Sequence, residues 1–126
     1  MQRAPLIGII DDDRDIPAAL GSLVRSIGYR AECFYSGEQI LARSDLSLFS
    51  CIISDIHMPG LSGIELVQLL HGVVPELPVI LMTGRIEQAL TQQAAACGAI
   101  SLIMKPFTTE DIVQKLSLAI ASRSRA

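Results

Sequence analysis

Short apolar runs alternate with helix-period segments along the whole chain. Five runs read as strands: Leu6–Ile10, Ala31–Tyr35, Cys51–Ser54, Val79–Met82 and Ser101–Met104. Four of them are nearly all apolar, as strands covered on both faces are. The second, "AECFY", alternates and fits a sheet edge. Helix starts lie between the runs. Ser36 with Gln39 and Ser62 with Glu65 have capping-box spacing, and Thr108 with Asp111 repeats it with Asp in place of Glu. Pro17 suits the first turn of a helix whose inward face is Ile16, Leu20, Leu23, Val24 and Ile27. Gly28 and Gly98 fall where helix C-terminal glycines belong, and the last helix carries Ile112, Leu116 and Ile120 on one face. Strand–helix alternation with short loops makes a parallel sheet covered by helices on both sides, because the crossovers are right-handed. The expected fold is α/β, a doubly wound five-stranded parallel sheet of (βα)5 type. It fills a single domain over 1–126, with its core over about 6–121 and a tail or the start of a linker over 122–126.

Composition narrows the function more than the fold. The formal net charge is −3 with both signs scattered, so no basic stripe marks a nucleic-acid surface. No run approaches the roughly 20 apolar residues of a membrane span, and "MQRAPLIGII" fits neither a signal nor a transit peptide. A cytoplasmic location without membrane partners is expected. Cys33, Cys51 and Cys97 are odd in number and lack metal-ligand spacing, which points to reduced thiols.

The strand ends carry the chemistry. In a parallel sheet every C-terminal strand end lies on one edge, where ligands bind. Asp11 and Asp12 follow the first run, Asp55 the third, Thr83 the fourth and Lys105 the fifth. Taken singly, each has a plainer reading. Asp11 to Asp13 suit a helix N-terminus, Asp55 and Thr83 suit turns, and Lys105 suits a solvated strand end. Turn chemistry alone does not require all these types on one edge. Three carboxylates against one ammonium repel one another, and a hard divalent cation such as Mg²⁺ relieves this while keeping water and phosphate oxygens as ligands. A carboxylate beside such an ion can attack a phosphoryl group and form an acyl phosphate. Lysine is scarce here: of ten basic residues eight are Arg, yet a lysine ends the fifth strand. Its long arm can span neighbouring strands about 4.8 Å apart.

The stretches "IIDDD", "IISDIHMPGLSG", "VILMTG" and "LIMKPF" together resemble the receiver domains of two-component response regulators. The resemblance runs from about Leu6 to Ala121 with the motifs in order. It implies the flavodoxin-like strand order 2-1-3-4-5. It also implies phosphorylation of Asp55 by a histidine kinase or histidine phosphotransfer protein. Mg²⁺ would be held by Asp11, Asp12, Asp55 and the backbone carbonyl of His57, with Thr83 and Lys105 on the phosphoryl oxygens. A cis bond before Pro106 is implied as well. His57 and Arg85 occupy the positions that tune the phosphoryl lifetime in similar domains. The chain departs from the family at Leu102, where an aromatic side chain usually couples to the threonine, so any switch here pairs Thr83 with Leu102. Output is expected through the fourth helix, fifth strand and fifth helix, as a homodimer contact or toward a C-terminal DNA-binding domain not in this chain.

Two other readings are distinct in kind. "IIDDD" also fits the start of haloacid-dehalogenase-like phosphatases, with Asp11 as nucleophile and Asp13 as acid, but Asp15 stands where Thr or Val is wanted. "DIHMPGLSG" is then unexplained. The third reading is an unphosphorylated docking module, which makes no use of the acidic cluster.

Overall fold

A computed structural model describes residues 3–85 and 87–124. Its strands are β1 (Leu6–Ile10), β2 (Arg30–Phe34), β3 (Cys51–Asp55), β4 (Val79–Thr83) and β5 (Ser101–Met104). Its helices are α1 (Asp15–Ser26), α2 (Gly37–Leu41), α3 (Gly63–Val73), α4 (Gln88–Ala96) and α5 (Thr109–Ser124). Neighbouring strands pair in parallel in the order β2-β1-β3-β4-β5. The doubly wound sheet and its strand order are as expected, and β2 lies at an edge as its alternation indicates.

The two-residue period of the strands divides the core between the faces of the sheet. Ile10, Ile52, Val79 and Leu81 pack with Ile40 of α2, Leu66 and Leu70 of α3, and Leu90 of α4. The alternate positions Ile7, Ile9, Ile53, Ile80, Met82 and Ile103 pack with Leu20 and Val24 of α1 and with Ile112 and Leu116 of α5. Each such side chain contributes about 1.5–3 kcal/mol when buried, so apolar residues on both faces call for helices on both faces. Of the inward face expected for α1, Leu20 and Val24 are fully buried, while Ile16, Leu23 and Ile27 border the same cluster.

The helix ends follow local chemistry. Ser62 and Glu65 form the full reciprocal capping box. Ser36 Oγ accepts the Gln39 N–H at 3.2 Å, but the Gln39 side chain accepts from Tyr35 N–H at 2.7 Å and leaves that box half closed. Thr108 Oγ1 accepts from Asp111 N–H at 3.1 Å. Gly28 and Gly98 have φ of 102° and 100°, the left-handed conformation suited to residues past a helix end. Helix α5 continues through Ser124, into the 122–126 segment expected as a tail; residues 125–126 of that segment lie outside the described residues. Cys33, Cys51 and Cys97 are free, and burial pushes the Cys51 thiol up to about 12. Among the described residues no helix is long and apolar enough to cross a membrane.

Two features go beyond the sequence pattern. A 3₁₀ turn spans Leu46–Leu48 ahead of β3. Arg43 pairs with Glu32 of β2 and with Asp45, its guanidinium 5.9 Å and 5.6 Å from the ring centres of Phe34 and Phe49. That cluster ties the α2–β3 connection to the edge strand.

Candidate functional site

Parallel pairing assembles the site from residues far apart in sequence. Ile10 lies opposite Ser54, so Asp11 and Asp55, the next residue along each strand, emerge side by side at the C-terminal edge. Thr83 ends β4, and Lys105 follows β5 with its N–H bonded to Thr83 O at 2.8 Å. The carboxylates of Asp11, Asp12 and Asp55 each offer an oxygen within 4.8 Å of the others. Asp11 and Asp55 are buried, and Asp12 is exposed at the rim. Lys105 reaches across from β5: its Nζ donates to Asp11 Oδ2 at 2.9 Å and stands 3.3 Å from Asp55 Oδ1. The other Asp11 oxygen accepts the Asp13 N–H at 3.0 Å.

The charges do not balance. Burial pushes the Asp55 carboxyl above its usual range, and the neighbouring Asp11 pushes the same way; Lys105 and His57 oppose both. Burial pulls the Lys105 ammonium down, but its bonds to Asp11 and the charge of Asp55 outweigh this and leave it raised. Lys105 is therefore charged, and one cation faces three carboxylates. Such an all-oxygen donor set, two members buried and one open to water, suits a hard divalent cation that keeps part of its hydration shell.

The remaining expected residues surround this cluster without all entering it. The Thr83 hydroxyl turns into its own loop, donating to Arg85 O at 3.2 Å and accepting Arg85 N–H at 3.1 Å. Arg85 and His57 are exposed beside the site. His57 also lines a groove of about 500 Å³ with Met58, Leu90 and Gln93, between the loop after β3 and α4. The Lys105–Pro106 bond is cis. Leu102 is offset from Thr83 along the β4–β5 ladder. It pairs in register with Leu81, while Thr83 pairs with Met104. Leu102 instead lines a cavity of about 160 Å³ with Thr91, Ala94 and Ala95 of α4.

Sequence reasoning missed two contacts that hold α3, one at each end of the helix. The N–H of Gly63, where α3 starts, donates to Ile56 O at 2.9 Å and closes the loop that follows Asp55. The only local signal is a serine cap followed by glycine. His71 Nε2 bonds Leu77 O at 2.8 Å, with its ring against Gly98. That contact holds the end of α3 to the turn after α4, and nothing in the spacing of these residues announces it.

Comparison with known proteins gives the arrangement a family. The sequence model described as the response regulator receiver domain matches residues 7–117. The chain is 36% identical over 128 residues to the response regulator protein TodT of Pseudomonas putida, covering 98% of this chain and 56% of that protein. It is 32% identical to the transcriptional regulatory protein FixJ of Bradyrhizobium diazoefficiens, covering 90% of this chain and 56% of FixJ. The chain thus spans about half the length of these curated relatives. Among solved structures, a CheY-like receiver domain protein from Methanospirillum hungatei superposes with a TM-score of 0.89 at 25% identity, over 97% of this chain and 98% of that one. The family match extends from β1 into α5, so it covers the "DIHMPGLSG" stretch that the phosphatase reading leaves unexplained. The chain belongs to the response regulator receiver domain family of two-component signalling.

Proposed function

We propose that Asp55 is the phosphoryl acceptor of this receiver domain and that Asp11 and Asp12 complete a Mg²⁺ site beside it. The observation that carries this reading is the convergence of three carboxylates within 4.8 Å with Lys105 bridging Asp11 and Asp55. The Asp55 carboxylate attacks phosphorus, forming an O–P bond as the donor's bond to phosphorus breaks and its electrons leave with the donor group. Asp11, Asp12, Asp55 and the His57 backbone carbonyl would hold Mg²⁺, which when bound neutralises phosphoryl oxygens. Lys105 then transfers its contact from the carboxylates to a phosphoryl oxygen, and the Thr83 hydroxyl exchanges Arg85 O for another. Among the described residues His57 is the one candidate base for water, and its backbone carbonyl rather than its ring is assigned to the metal, so the acyl phosphate persists and the domain acts as a switch. His57 and Arg85, both exposed beside Asp55, set its lifetime.

The donor is a histidine kinase or histidine phosphotransfer protein, and the setting is cytoplasmic. Output runs through α4, β5 and α5, with Leu102 against α4 as the readout on that face. The surface serves a second copy of the chain or a C-terminal DNA-binding domain of a longer protein. The length of the relatives and the description of FixJ as a transcriptional regulatory protein support such an output.

Thermal melts with Mg²⁺ test the metal site. Binding to the folded state alone raises stability by about 2.7 kcal/mol at a hundredfold excess over Kd. The wild type should show a rise in Tm of several degrees, and Asp12→Ala less than half of it. Removing one of the repelling carboxylates should leave the metal-free variant at least as stable as the wild type. Equal Mg²⁺ shifts in both proteins would count against Asp12 as a ligand.

A further inference from the structure

We infer that Gly63 is a positioning residue for Asp55: its missing side chain lets α3 begin against the backbone of the acceptor and so fixes where that carboxylate stands. The inference rests on the reading of Asp55 given above. A Cβ at Gly63 would lie 2.3 Å from the Asp55 backbone oxygen, 2.9 Å from Ile56 Cα and 3.0 Å from the Asp55 carbonyl carbon. All three neighbours are main-chain atoms, so no rotamer relieves the contact. Backbone conformation does not call for glycine here, because Gly63 is not among the glycines with positive φ. As a helix former alanine is the better residue. The requirement is therefore the contact itself.

An added methyl forces a displacement toward the site. The contact must open by about 0.7 Å, from 2.3 Å to the 3.0 Å below which real Cβ contacts are essentially never found. Helix α3 resists moving, since Leu66, Val67 and Leu70 are fully buried in the core. The displacement then falls on the end of β3, where Asp55 is the last residue and pairs in register with Met82. That end is held by Ile56 N–H on Met82 O at 2.9 Å and by Gly63 N–H on Ile56 O at 2.9 Å. Turning the Asp55 peptide swings its carboxylate away from Asp11 and Lys105. Misplacement of a reacting group by about 1 Å costs about 100-fold in rate.

Two controls separate positioning from a general weakening of the helix end. Gly37 also opens a helix, but a Cβ there meets the tip of Leu61, Cδ2 at 2.7 Å, a flexible side chain able to move. Ser62→Ala removes the capping box one residue before Gly63 and adds no atom near Asp55. The experiment measures Mg²⁺ affinity by calorimetry and the initial rate of phosphorylation by acetyl phosphate, well below each variant's Tm. Gly63→Ala should bind Mg²⁺ about tenfold more weakly and accept phosphate about 100-fold more slowly, while Gly37→Ala and Ser62→Ala stay within about twofold of the wild type. A folded Gly63→Ala with wild-type affinity and rate overturns the inference, as does a Ser62→Ala impaired to the same degree. If Gly63→Ala is unfolded in buffer, the measurements are repeated in trimethylamine oxide, which favours the compact state. Continued failure to fold there also overturns it, because a displacement confined to the Asp55 end leaves the core intact. A wild type that neither binds Mg²⁺ nor accepts phosphate removes the reading of Asp55, and the inference with it.

Discussion

Asp55→Asn is expected to melt above the wild type at neutral pH without divalent metal, by roughly 3–6 °C, the scale on which about 1 kcal/mol moves a domain of this size. The buried Asp55 carboxylate faces Asp11, and together burial and Asp11 outweigh Lys105, so the folded state holds the proton more tightly than the unfolded chain does. A carboxyl raised in this way stabilises the fold below its ordinary value of 3.8 and loses that contribution as pH rises through the raised folded value. Asparagine stays neutral throughout. The variant's advantage should therefore be present at neutral pH and shrink as the wild type is acidified through the folded pKa of Asp55. Mg²⁺ should reverse the order at neutral pH, because the ion compensates the very charge that the variant lacks. Melts across pH with and without Mg²⁺ check this. A metal-free variant less stable than the wild type at neutral pH would mean that the Lys105 pair outweighs burial.

Lys105→Ala should act in the opposite direction on the same cluster. The ammonium is the cation held between Asp11 at 2.9 Å and Asp55 at 3.3 Å, and without it two buried carboxylates face each other. A loss of about 1–2 kcal/mol is expected without metal, below the 3–5 kcal/mol of fully buried pairs, because the Lys105 side chain is 23% exposed. Mg²⁺ should recover a larger share of stability in this variant than in the wild type. Phosphoryl transfer should persist at a reduced rate, since the attacking oxygen is untouched. The conformational response should fall further, since the lysine links the modified residue to β5. Hydrogen exchange in α4 and β5, with and without a phosphate mimic, would show it. A variant as stable as the wild type without metal would remove the electrostatic role assigned to Lys105.

Much of this site is legible in the sequence for a topological reason. Apolar runs and helix caps are local signals. Once they fix an alternating parallel fold, Asp11, Asp55, Thr83 and Lys105 must share an edge whatever their distance in sequence. The full capping box at Ser62 and Glu65 is legible because its chemistry closes within a single turn. Contacts that depend on how elements lean on one another leave no such trace. Lys105 bonds Asp11 more closely than Asp55, although the motif alone gives no preference. Thr83 spends its hydroxyl on its own loop, because that loop offers both a donor and an acceptor at Arg85. That Leu102 borders a cavity against α4 is likewise a matter of how the helix leans on β5, which the spacing of the motif does not carry. The approach of Gly63 to the Asp55 carbonyl is invisible to periodicity, which registers side chains and not the place where one must be missing. Arg43 is similar: its partners Glu32 and Asp45 lie on either side of α2, and only folding brings them to one guanidinium.

Intact mass after incubation with acetyl phosphate and Mg²⁺ tests the acceptor role of Asp55 most directly. The wild type should gain one phosphoryl group per chain, Asp55→Asn should gain none, and omission of Mg²⁺ should suppress the gain in the wild type. A wild type that binds Mg²⁺ yet stays unmodified, or an Asp55→Asn variant modified to the same extent as the wild type, would contradict that role.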